Sequence, residues 1–162
     1  MSSRRKGGVR SRSPLTKTQL LPMSPALARE RSLAYHLALA SWRTGHGYPR
    51  SVNELIHAAY IAWYVQCAGY GEEPVENFKI IEFAVEATLA ADDAGSWTLD
   101  PDAVSAFESV LALSDRQLAS VPQYRFDDAE RQLAAFLRGT ERSPIPMPIN
   151  VVTSEQPVFP NL

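Results

Sequence analysis

Residues 33–47 read LAYHLALASWRTGHG, and only His36 interrupts the apolar girth before Arg43. At 3.6 residues per turn, Leu33, Leu37 and Ala40 share one face, Ala34, Ala38 and Ser41 the next, and Tyr35, Leu39 and Trp42 a third. A helix that is apolar all round is buried all round, so this stretch is expected at the centre of an all-α fold. Its start is marked by Ser24 followed by Pro25, a cap and first-turn pair, and its end near Thr44 by Gly45. The loop GHGYPR leads to a second helix, with Ser51 and Glu54 spaced as a capping box and Gly69 and Gly71 as the stop after Ala68. Leu55, Ile56, Ala59, Tyr60 and Trp63 make one broad face of it, and Ile61, Ala62, Tyr64 and Val65 cover much of the rest. These two helices are therefore predicted to form a central apolar hairpin.

Three more helices are predicted as its cover. One begins at Pro74, after Glu72 and Glu73, and runs to about Ala94, with Phe78, Ile81, Val85 and Leu89 on its apolar stripe. Lys79, Glu82 and Glu86 lie off that stripe and read as a solvated face. Asp100 and Pro101 start a fourth, expected to bend near Ser114, and Asp127 with Glu130 caps a fifth that ends near Arg138. The fold expected is thus a bundle of about five helices over residues 24–139, preceded by a basic arm, 1–23, and followed by a proline-rich tail, 140–162.

Arg4, Arg5, Lys6, Arg10, Arg12 and Lys17 give residues 1–17 a charge of +6, while the other 145 residues carry 10 basic and 18 acidic side chains, or −8. With almost nothing apolar, the arm cannot offset its chain entropy by burial and is expected to be disordered alone. Such a cluster suits non-specific contact with nucleic-acid phosphates. A solubilising or self-paired tail, or an anionic membrane surface, would use the same charges. The tail SPIPMPINVV alternates proline with large apolar residues, which favours an extended, polyproline-like segment that can lie in a groove. Ile145, Met147 and Ile149 are its candidate partner-binding residues.

Three covering stripes leave the girth of two all-apolar helices short of partners. Either a symmetric homodimer completes the cover, or Leu20 to Met23 and the tail residues fold back as a lid. The pattern does not say which.

Glu54 and His57 form a single E-x-x-H without the second copy and further glutamates that a di-metal bundle needs, so no metal is expected. Cys67, the one cysteine, reads as a small core residue. His46 with Tyr48 and Arg50 is a polar cluster in what reads as a glycine-built turn. No phosphate-binding, dinucleotide-binding or nucleophile-elbow motif occurs, and no catalytic residue, cofactor or small-molecule ligand is inferred. A helix-turn-helix fits best at Ser114 to Arg138, but Asp127, Asp128 and Glu130 would repel phosphates there. The N-terminus lacks a signal-peptide apolar run, and the longest apolar stretch, Ala58 to Ala68, falls short of the roughly 20 residues that span a bilayer. No membrane partner and a cytoplasmic location are expected.

YHLALA at 35–40, GHG at 45–47 and AAYIAWYVQCAGYG at 58–71 resemble a group of short proteobacterial helical proteins sometimes labelled Fis-family transcriptional regulators. That resemblance, over about residues 30–140, implies DNA binding and a regulator-like role. The chain departs from Fis proper in lacking a C-terminal helix-turn-helix with a basic second helix. The combined expectation is a non-enzymatic protein that mediates association, chiefly with itself, and touches nucleic acid through its arm. The alternative is a protein-protein adaptor without nucleic-acid binding.

Overall fold

Proline sets the start of three helices in the computed structural model, which describes residues 14–91 and 99–147. The elements are α1 (Lys17–Leu20), α2 (Pro25–Arg43), α3 (Pro49–Cys67), α4 (Val75–Ala90), α5 (Pro101–Ser120) and α6 (Gln123–Leu137). Among the described residues there is no strand, and the chain is an all-α bundle. In α2 and α5 the predicted caps form: the Leu27 amide donates to Ser24 Oγ at 3.3 Å and the Asp102 amide to Asp100 Oδ1 at 3.1 Å. Both satisfy an amide that the first turn leaves without a helical acceptor.

The helices differ from the expectation at several points. α3 starts at Pro49, so Ser51 is not its cap; its hydroxyl turns back on the chain, accepting the Tyr48 amide at 3.0 Å and donating to the Tyr48 carbonyl at 2.7 Å. Glu54, freed from a capping box, pairs with Arg50. α5 runs unbroken through Ser114, which is buried on the inner face and has no call to recap the chain. α6 starts four residues before Asp127, directly after Val121 and Pro122. α1 was not expected at all, although Thr16 and Gln19 form a reciprocal capping box around it.

The centre of the bundle is also differently placed. α3 packs against α2, α4, α5 and α6, and α5 against α2, α3 and α4, so α3 and α5 are the central pair. α5 had read as an outer helix; it buries Ala106, Phe107, Val110, Leu111 and Leu113 in the main core. α2 had read as wrapped, and that is corrected: it buries Ala38, Leu39 and Trp42 against the centre and leaves Leu33 at 58% and Leu37 at 60% exposure. Its inward face is enough to hold it, so apolarity on the other face is surplus to folding.

A second cluster closes one end, where Met23, Ile61, Val65, Leu118, Val121 and Phe126 meet. The arm enters there: the Gln123 amide donates to the Leu21 carbonyl at 2.9 Å, and Met23 is buried. At the main core the tail enters too, with Ile145 at 3% exposure. Of the expected lid, Met23 and Ile145 are buried, while Leu20, Leu21 and Met147 are exposed and the outer flank of α2 stays uncovered. The folded body reaches from the α1 turn to Ile145, beyond both expected boundaries.

Candidate interaction surface

The outward side of α2 is an apolar strip. Ala26, Leu33, Leu37 and Ala40 fall within one flank at 100° per residue, and all are exposed, with Ala34 beside them. Glu30 is the one charged residue on the line itself. The edge of α2 meets α5 through Arg43 with Glu108 at 2.7 Å and His36 with Asp115 at 2.9 Å, while Ala38, Leu39 and Trp42 hold its other side in the core. Beside its N-terminal end a groove of about 270 Å³ runs between α2 and α5, lined by Met23, Ala28, Arg29, Ser32 and Leu118.

Ile145 was a candidate for contact with another chain; the structure corrects this, since its side chain is taken up by its own core. The reason lies two residues earlier. Ser143 Oγ accepts from Lys79 Nζ at 2.9 Å and from the Ile145 amide at 3.0 Å, and donates to Glu82 Oε1 at 2.6 Å. Glu82 also takes Lys79 Nζ at 2.8 Å and the Tyr60 hydroxyl at 2.9 Å. Lys79 and Glu82, read as solvated, are therefore buried under the strap, each satisfied by the other and by Ser143. Burial together with the adjacent Glu82 carboxylate pushes the Tyr60 phenol well above its ordinary range. Lys79 Nζ donates to both Glu82 and Ser143. The arrangement fastens a strap. Met147, just beyond, is exposed, and Ile149 lies outside the described residues.

Arg4, Arg5, Lys6, Arg10 and Arg12 also lie outside the described residues, and Lys17 opens α1 on the surface. At the root of the arm a cleft of about 590 Å³ is lined by Pro14, Leu15, Tyr124, Arg125, Asp127 and Asp128, with Arg131 bonded to Asp128. Its two arginines balance its two aspartates, so it presents no net charge.

Glu54 and His57 do not converge: His57 Nε2 lies 3.1 Å from Glu130 of α6 while Glu54 faces Arg50. Among the described residues no three His, Cys, Asp or Glu side chains group as a metal site. Cys67 is exposed at the end of α3, which corrects its expected place in the core, and partial burial pushes its thiol above the ordinary range. His46 Nδ1 approaches the Thr44 hydroxyl at 3.3 Å in an exposed turn. The helix pair at Ser114 to Arg138 is replaced by one long and one shorter helix, with Asp127 and Asp128 in the second turn of α6. No described helix is long and apolar enough to cross a membrane. No family model, no curated protein and no solved structure matches this chain.

Proposed function

We propose that this chain is a non-enzymatic association module that pairs with a second copy of itself along the outer face of α2 and touches nucleic acid, without reading bases, through its basic arm. The observation that carries it is the exposure of Leu33 and Leu37, 58% and 60%, on a helix whose other side already holds it in place. Each leucine half withdrawn from water contributes on the order of 1 kcal/mol to an interface. The strip suits a twofold: laid antiparallel about Tyr35, Leu33 faces Leu37 of the second copy, Glu30 faces Ala40 and Ala26 faces Thr44. No like charges on the strip oppose one another in that register. One helix of 19 residues, roughly 28 Å long, offers a small interface, so association in the micromolar range, on the order of −8 kcal/mol, is the scale expected.

Nucleic-acid contact rests on the +6 of residues 1–17 against −8 elsewhere, and the cleft at the arm's root, with two arginines and two aspartates, adds no net charge of its own. A regulator-like accessory role in transcription, as the sequence resemblance implies, is compatible with such contact. An adaptor whose arm is unused is the second reading, favoured by the acidic body. Disulfide trapping tests the pairing: with Cys67→Ser in both, Leu33→Cys copies mixed with Leu37→Cys copies should cross-link more than either alone. Equal or no cross-linking would rule out this antiparallel register.

A further inference from the structure

The strap made by Ser143 and Ile145 brings the chain onto the flank of α4 formed by Lys79 and Glu82. Phe83 stands one turn beyond Lys79 and next to Glu82, and it is 61% exposed; Ile80 and Leu89 are exposed on the same helix. Phe83 with Ile80 and Ala87 falls on one outward line at helical spacing, an apolar strip separate from the one on α2. The residues that follow the strap are P-I-N-V-V, and from 148 to 162 Glu155 is the single charged side chain.

We infer that this strip on α4 is a docking face for the chain's own residues 148–152, with Ile149, Val151 and Val152 covering Phe83 and Ile80. Ser143, five residues before Pro148, is held by Lys79 and Glu82 beside the strip, so closing the loop would cost little further chain entropy. Pro144, Pro146 and Pro148 stiffen the approach and remove backbone donors that the apolar face could not satisfy. Five residues at about 3.1 Å each span about 15 Å, more than the roughly 10 Å of helix axis from Ile80 to Ala87, so the segment can run the length of the strip. The α2 strip is left for the second copy, and the two sites stand or fall separately.

The test is paramagnetic broadening in the full-length chain. A nitroxide on Val152→Cys, with Cys67→Ser, should erase the amide signals of residues 80–87 in a dilute isotope-labelled sample and return them when the label is reduced. Phe83→Asp should abolish the broadening while the α4 signals keep their positions. Signals of 80–87 that stay sharp would overturn the assignment. So would broadening seen only when spin-labelled, isotopically silent copies are added to unlabelled-spin, isotope-labelled ones, since the occupant would then be another copy's tail.

Discussion

Gly47 lies against the indole of Trp42, which is fully buried and meets the Phe107 ring edge-on at 5.8 Å between centroids. A Cβ there would stand 1.8 Å from Trp42 Cδ1, so the ring or the loop must move. Gly47→Ala is expected to cost about 2 kcal/mol or more in urea unfolding. Gly45→Ala, in open space at a φ of 75°, should cost only about 1 kcal/mol, from backbone strain. Under the strap, Lys79→Met leaves Glu82 buried without its cation and should cost about 3–5 kcal/mol, against about 1–2 for Ser143→Ala. Tyr60 adds a pH signature. Its phenol is held protonated in the fold, so the stability it confers is complete below its ordinary pKa of 10.0 and declines as pH climbs past that value. Tyr60→Phe should flatten part of that alkaline decline in unfolding curves, with Tyr35, Tyr64 and the Cys67 thiol, shifted in the same direction, contributing to the remainder.

At the scale of the element, α2 and α5 exchange the inner and outer places that their sequences suggest. If α5 is central, Phe107→Ala should cost about 3–5 kcal/mol, whereas Leu137→Ala on the exposed end of α6 should stay within about 0.5 kcal/mol, both read from denaturant midpoints. The helix starts at Ser24 and Asp100 were legible because a cap is a local device: the side chain and the amide that it serves are three residues apart or fewer. The place of a helix in the bundle was not. α5 buries Ala103, Ala106 and Ser114, small residues that fit a close helix approach equally well as a solvent face, and no periodicity distinguishes the two. Lys79 and Glu82 were misread because their partner, Ser143, is some 60 residues away, and sequence spacing shows only the i, i+3 pair. Leu33 and Leu37 were legible as apolar, but apolarity does not name the atoms that cover it.

Across the whole molecule, charge and apolar surface are segregated. The acidic body and the basic arm repel and attract a polyanion respectively, so only the arm should bind. For six phosphate contacts on duplex DNA, the logarithm of affinity should fall with the logarithm of salt at a slope of about −5. Fluorescence anisotropy on a random duplex should show that slope, and deleting residues 1–17 should remove the binding; binding that survives the deletion would take the arm out of the function.

Self-pairing along α2 is most directly read as mass. Light scattering of the full chain over a micromolar concentration series should rise from 17.9 kDa toward twice that value, while Leu33→Glu with Leu37→Glu stays at 17.9 kDa and remains helical. A chain that keeps the monomer mass throughout, or a double variant that pairs as well as the parent, would contradict it.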